Sequence, residues 1–356
     1  MRLAMKVAIT GSSGLIGTAL TANLRADGHQ VVRLVRRPPR AADEVRWDPQ
    51  AADAGRPSLS GVDACVHLAG AGVGDHRWTA AYKAEIRSSR VLPTRALAAA
   101  LAAASPRPAT FLVASAIGWY GDTGGAAVTE DAPAGQAFLS RVVADWEAAA
   151  EPAREADLRV AHLRSGLVLA AGGGVLGRLA LPARLGVLPR FGDGRQVMSW
   201  ISLTDEVRAI RFLLDGAGGT GAGTGADAGG AGAGGAGADG AGADGAGAGA
   251  GGAGAGGAGG PDLGAACSGP FNLTAPNPVT DSELTAALLT AFRRPDFSWL
   301  RVPAPLLKLG LGEMSAELLT SARVLPKRLL EAGFAFEHPT VAAALAAELH
   351  STPPGA

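Results

Sequence analysis

Thr10-Gly11-Ser12-Ser13-Gly14-Leu15-Ile16-Gly17 has the residue types and spacing to hold a diphosphate. Gly11 permits a tight turn. Gly14 keeps a β-carbon out of the path of a pyrophosphate, and Gly17 lets a following helix pack close on the preceding strand. A helix opening at Leu15 offers free N–H groups and a partial positive charge to phosphate oxygens. That charge is worth up to ~2 kcal/mol when partly buried, so it positions a dinucleotide without binding it alone. Ser12, Ser13, Leu15 and Ile16 complete the expected cofactor loop.

Further along, Arg36-Arg37 follow an apolar run, and no acid appears before Asp43. An acid at that place would hold the ribose 2′-hydroxyl of NAD, whereas an arginine accommodates the 2′-phosphate of NADP. The sequence therefore points to NADP over NAD, with Arg36 as the contact. The alternative is two solvated arginines after a strand. His67-Leu68-Ala69-Gly70 ends another apolar run, and Ala69 and Gly70 are small enough to let a ribose come close. His67 itself reads more simply as a core histidine bonded to backbone.

Candidate proton-handling groups are fewer. Ser115 ends the run Thr110–Ser115, and Tyr120 follows in Ala116–Asp122. A serine at a strand end could donate to a substrate carbonyl or sugar oxygen. The plainer reading is that Ser115 caps the strand and Tyr120 packs at a loop edge. The polar, glycine-punctuated stretch Arg190–Trp200 suits a substrate rim. Cys65 and Cys267, the only cysteines, have no metal-like spacing, and no metal site is expected.

These groups need elements to hold them. Lys6–Ile9 reads as a buried parallel strand, and Leu15, Ile16, Ala19, Leu20 and Leu24 recur at helical spacing. Strands are expected at Gln30–Val35, Asp63–Gly70, Ala109–Ser115, Leu158–Leu169 and Gly269–Thr274. Helices are expected at Ala80–Ala103 with a bend or restart at Pro93, at Phe138–Ala156, at Val175–Leu185, and at Asp205–Leu214 capped by Thr204. Thr280 or Asp281 opens another. From about Pro303 the pattern turns helical: Leu306–Leu311, Leu318–Leu330 and Val341–Leu349. The alternation predicts an α/β doubly wound parallel sheet of Rossmann type with a small C-terminal helical region.

From Gly216 to Gly260 nearly every residue is Gly or Ala. Such a segment buries no large apolar group and cannot repay its ordering entropy, so it reads as a disordered insert. Each doubling of loop length costs only about 0.6 kcal/mol, so a folded domain can carry it. The expected organisation is 1–215 for the dinucleotide-binding domain with the start of the substrate region, 216–260 for the insert, 261–302 for the rest of the substrate region, and 303–350 for the helical domain. Thirty-two basic residues balance 32 acidic ones across 356 residues, which argues against nucleic acid or an anionic membrane as partner. No apolar run reaches membrane-spanning length. Two isolated cysteines fit a reducing compartment, and the expectation is a cytoplasmic protein that meets a small-molecule substrate.

The chain resembles the atypical extended short-chain dehydrogenase/reductases called epimerase family proteins. The blocks that carry the resemblance are Thr10–Gly17, His67–Gly70, Arg77-Trp78-Thr79 with Lys83 and Ser89-Arg90, Ser115–Asp122, Trp146-Glu147, Gly194–Ile201, Phe271–Thr280, Gly312-Glu313-Met314 and Leu325–Phe334. The last two belong to that family's C-terminal domain of unknown function. The insert has no counterpart, and Ser202 stands where the family usually has histidine. The resemblance implies a nicotinamide cofactor and an oxidoreductase or nucleotide-sugar-epimerase-like activity of unknown substrate, with Ser115 and Tyr120 where the superfamily keeps catalytic hydroxyls.

The superfamily's usual engine is a Tyr-x-x-x-Lys pair, in which lysine and cofactor lower the phenol pKa from about 10 so that tyrosine moves a proton near neutrality. The pair is absent. Four residues beyond Tyr82 and Tyr120, the only tyrosines, stand Ile86 and Gly124, and Leu139 and Val143 occupy the aligned positions. Of the four lysines only Lys83 falls in a segment expected to face the cleft. Two functions of different class follow. One is an enzyme with Ser115 polarising the substrate and Tyr120 or Lys83 managing the proton. The other is a non-catalytic NADP-binding sensor or scaffold, which suits the cell-division-inhibitor label of some family members.

Overall fold

The computed structural model describes residues 4–49, 57, 59–216, 267–297 and 301–350. Seven parallel strands form its centre: β1 (Lys6–Thr10), β2 (Gln30–Val35), β3 (Glu44–Arg46), β4 (Ala64–His67), β5 (Thr110–Ala116), β6 (Arg159–Ser165) and β7 (Gly269–Leu273). Their order across the sheet is β7-β6-β5-β4-β1-β2-β3. Chain direction reverses its walk at β1, so the crevice between β1 and β4 is the switch point where such sheets bind ligands. Thr10 faces Leu34 on one side and His67 on the other.

Helices cover both faces, as the sequence predicts. On one face lie α1 (Leu15–Ala26) and α5 (Leu203–Asp215); on the other lie α2 (Ala80–Ala102) and α3 (Phe138–Ala148). A further helix, α4 (Gly174–Arg184), packs against Asp281–Ala291 through the cluster of Leu176, Ala183, Leu284 and Leu288. Alternation along β1 divides the core: Val7 and Ile9 join Leu20 and Leu24 of α1 and Ile210 and Leu213 of α5, while Ala8 joins Cys65, Phe111, Leu97, Leu101 and Trp146. Strands buried on both faces explain why their sequence reads as continuous apolar runs.

Several local expectations are corrected. The short edge strand β3 gives no sequence signal at three residues. Phe138–Ala156 is two helices, because Pro152 lacks the N–H that would continue the first and instead sits in the first turn of Glu151–Glu155. α2 runs unbroken through Pro93. The cap of α5 is Ser202, not Thr204: the Ser202 hydroxyl accepts from the Asp205 N–H at 3.0 Å. Leu318–Leu330 is not one helix. Ser315–Leu319 ends, Arg323-Val324 pairs in parallel with Ala127-Val128, and a new helix opens at Lys327 after Pro326. The Gly/Ala insert, apart from Gly216, lies outside the described residues. Among the described residues no helix is long and apolar enough to cross a membrane.

The C-terminal region is stitched to the sheet by polar contacts. Asp205 accepts from the Glu337 and His338 amides at 2.9 and 2.8 Å, and His338 Nδ1 meets the Ser202 hydroxyl at 3.0 Å. Ser202 is thus a cap and a docking point. The Ser-His-Asp composition is not a nucleophilic triad, since Asp205 holds the histidine's amide and not its ring, and Ser202 is fully buried.

Candidate functional site

The carboxyl ends of β1, β2 and β4 open on a cleft of about 960 Å³. Its lining includes Thr10–Gly14, Arg33–Arg37, Trp47–Pro49, Leu68–Gly72 and Tyr82. Thr10 ties the two central strands at its floor. Its hydroxyl accepts from the Leu68 and Ala69 amides at 3.2 and 3.3 Å and lies 2.6 Å from His67 Nδ1. Burial holds His67 neutral, with its pKa lowered to about 4. The hydroxyl proton therefore goes to Nδ1, leaving the ring proton on Nε2. His67 lies wholly beneath the surface, so of the predicted stretch His67–Gly70 only Leu68, Ala69 and Gly70 line the cleft.

Glycine is required at two places in the loop. Gly11 has φ +67°, and a β-carbon there would stand 2.8 Å from the Leu68 carbonyl group. At Gly17 a β-carbon would stand 2.2 Å from the Gly11 carbonyl oxygen. The close approach draws the start of α1 under the loop, as the spacing predicts. Leu15 lies against Gly173 and Gly174, and Ile16 packs on the core. Leu15, Ile16 and Gly17 therefore shape the loop from below, while Gly11, Ser12, Ser13 and Gly14 line the cleft. The bare loop at a helix N-terminus, the small residues Ala69-Gly70 and a cleft of about 960 Å³ fit a dinucleotide.

Three arginines surround the far end of the cleft. Arg33 is paired with Asp43 through Nε at 2.7 Å, and Arg37 binds both carboxylate oxygens of Glu44 at 2.7 Å each. Arg36 is exposed, lines the cleft, and has no hydrogen bond or ion pair among the described residues. The sequence reading missed Trp47, Asp48 and Pro49, which lie after an unpredicted strand and carry no motif. It also missed Glu44, whose partners become neighbours only when β3 pairs with β2.

Lys83, Ser115 and Tyr120 are not brought together as an acid–base set. Ser115 is buried and donates to Glu147 Oε1 at 2.6 Å. Glu147 is clamped by Arg164 through two hydrogen bonds of 2.8 and 2.9 Å. Arg164 in turn donates to the Tyr120 hydroxyl at 3.0 Å and stacks over the Trp119 ring at 3.9 Å. Tyr120 donates to Asn272 Oδ1 at 2.7 Å, and Asn272 reaches the Leu325 carbonyl at 2.9 Å. One buried network thus joins β5, α3, β6, β7 and the C-terminal region. Burial raises the Tyr120 phenol above its ordinary pKa, against the opposing pull of Arg164, which is the wrong direction for a base at neutrality. Lys83 is paired with Glu313 at 2.6 Å and lies over the Phe138 ring. At the aligned Tyr and Lys positions, Leu139 and Val143 turn to Gly118.

One further acid is buried at the sheet's carboxyl edge. Ser165 donates to Glu206 Oε1 at 2.6 Å, and burial pushes Glu206 up to about 8. The folded chain keeps a proton that an unfolded carboxyl, at 4.5, gives up. The contribution of this group to stability therefore falls as pH rises from about 4.5 to about 8 and levels off above. Glu206→Gln, neutral and nearly isosteric, should raise the melting temperature at pH 8 and leave it little changed at pH 4. Equal shifts at the two pH values in thermal melts would refute this.

Comparison with known proteins places this geometry. The model of the NAD dependent epimerase/dehydratase family matches residues 7–222, and the Domain of unknown function (DUF1731) matches residues 302–348. Epimerase family protein Mb2239 from Mycobacterium bovis is 39% identical over 340 residues, covering 95% of this chain and 96% of that protein. A crystal structure of human epimerase family protein SDR39U1 (isoform 2) with NADPH superposes with a TM-score of 0.77 at 28% identity, covering 98% of this chain and all of that one. A nucleoside-diphosphate sugar epimerase from Corynebacterium glutamicum gives a TM-score of 0.69 at 32% identity, over 98% of this chain and 58% of that one.

Proposed function

The chain belongs to the NAD dependent epimerase/dehydratase family, and from that premise we propose that it is an NADP(H)-dependent oxidoreductase acting on a small-molecule substrate. The observation that carries the reading is Arg36, a guanidinium unpaired among the described residues, just after β2 and facing a cleft that begins at the bare glycine loop. The presence of NADPH in the human relative's structure supports it. The amides of the glycine loop and the start of α1 would bind the diphosphate. Ala69 and Gly70 would admit the ribose, and Arg36 would pair with the 2′-phosphate. When bound, the cofactor supplies or accepts the hydride.

Arg36→Ala should weaken NADPH by roughly 10–100-fold, the worth of a charge-assisted contact, while NADH binding stays within about twofold. Fluorescence titration with both coenzymes measures it, and equal losses would remove the case for NADP(H). Turnover is tested by following nicotinamide absorbance of the NADPH-loaded protein against carbonyls and nucleotide sugars.

A second reading, a non-catalytic NADP(H)-binding sensor or scaffold, is favoured by Leu139 and Val143 at the expected Tyr and Lys positions and by the committed hydroxyls of Ser115 and Tyr120. Tight NADPH binding without oxidation across the panel would select it.

A further inference from the structure

Between β2 and β3 the chain makes the turn Arg36-Arg37-Pro38-Pro39-Arg40. Pro38 and Pro39 have no N–H to donate, and among the described residues the turn makes no backbone–backbone hydrogen bond. Side chains hold it: Arg37 donates to the Pro38 carbonyl at 3.0 Å, and Glu44 gathers the rest. Glu44 on β3 accepts from the Arg40 amide at 2.6 Å and from Arg37 Nη1 and Nη2 at 2.7 Å each. It also lies 3.1 Å from Arg33 Nη2. Its side chain is only 2% exposed, although it sits beside an open cleft. Two guanidinium groups and one amide thus converge on a carboxylate that does not line the cleft, while Arg36, in the same turn, faces the cleft with no partner among the described residues.

We propose that Glu44 is a positioning residue for coenzyme selection: by tethering the Arg36–Arg40 turn through Arg37 and the Arg40 amide, it fixes Arg36 where a 2′-phosphate would lie. The inference rests on the NADP(H) reading above. The Arg37 and Arg40 contacts hold Glu44 ionised, with its pKa lowered to about 2. A guanidinium on a loosened turn must be ordered again when the phosphate arrives, and that entropy is charged against NADPH alone. NADH, lacking the phosphate, does not draw on Arg36.

The test is the ratio of NADH to NADPH dissociation constants in full-length protein. Glu44→Gln keeps the shape and removes the charge. It should weaken NADPH by about tenfold, the scale of one lost charge-assisted hydrogen bond, and leave NADH within about twofold, so the ratio falls about tenfold. In an Arg36→Ala background the same change should move NADPH by less than about twofold, because the two residues act as one unit. A merely structural role would lower the melting temperature and leave the ratio alone. Should Glu44→Gln fail to fold, Glu44→Asp keeps the charge, loses the reach to Arg40, and should lower the ratio in the same direction. An unchanged ratio in whichever variant folds, or an undiminished effect in the Arg36→Ala background, overturns the role of Glu44. An unchanged ratio in Arg36→Ala alone overturns instead the reading on which it rests.

Discussion

Gly17→Ala is expected to weaken NADPH binding on the order of 100-fold and to destabilise the protein. The added β-carbon would lie 2.2 Å from the Gly11 carbonyl oxygen, 2.8 Å from the Ser12 Cα and 2.9 Å from the Gly11 carbonyl carbon. All three are backbone atoms, so no rotamer change relieves the clash. Nor can the loop retreat freely. Gly11 O already accepts from the Gly14 amide at 3.0 Å, and Gly11 is pressed against Leu68 and Ala69. Overpacking of this kind costs about 1–3 kcal/mol. Displacing the phosphate-facing amides by ~1 Å should cost on the order of 100-fold in affinity, as misplacement does in other preorganised sites. Gly177→Ala is the control, because nothing lies within 4 Å of its added β-carbon. Calorimetric titration with NADPH decides it, and near-normal binding by Gly17→Ala would show that the loop carries no phosphate.

The largest loss of stability should follow Arg164→Met. Glu147 would then keep its Ser115 contact and lose both guanidinium bonds while still buried. Burial alone would raise Glu147, yet Arg164 holds it below its ordinary value. Removing one partner of such a pair costs about 3–5 kcal/mol, whereas replacing both by apolar groups is often nearly neutral. Arg164→Met/Glu147→Leu should therefore recover most of the loss in chemical denaturation. A depressed carboxyl contributes stability above its unfolded pKa, near 4.5, that is lost as pH falls through the lower folded value. The wild type should weaken in that acid window, and the double variant should lack this component. If the double variant is no more stable than Arg164→Met alone, the network owes its stability to Tyr120, Trp119 or Ser115 and not to the ion pair.

The parts of this molecule legible in its sequence are those set by neighbours along the chain. The glycine spacing specifies a turn between a strand and a helix, and the apolar runs specify strands buried on both faces. Arg36 is marked by following such a run. Contacts between distant segments left no such mark. Ser202 and His338 meet only because α5 and the C-terminal region pack together. Glu147 and Arg164 sit on a helix and a strand, and nothing in either segment announces the other. Ser115 and Tyr120 looked available as hydroxyls because a sequence shows a functional group and not its partner. The Leu318–Leu330 expectation fell to Pro326 and to a two-residue pairing with Ala127-Val128, too short to register as a strand pattern. Thr204 and Ser202 are equally good caps by type. The helix starts where the parallel pairing of Trp200–Ser202 with Leu167–Leu169 ends.

Strand order also bears on how the chain assembles as it is made. With β1 in the middle, β2 and then β3 are laid beside it on one flank, and β4, β5, β6 and β7 follow in turn on the other. Each newly synthesised strand docks on an outer edge already in place, and none has to be wedged between two that have paired. The two strand ends that flank the crevice are therefore both made once β4 is, with Leu68–Gly72 and Tyr82 of its lining next in the chain and the carboxyl-terminal helices last.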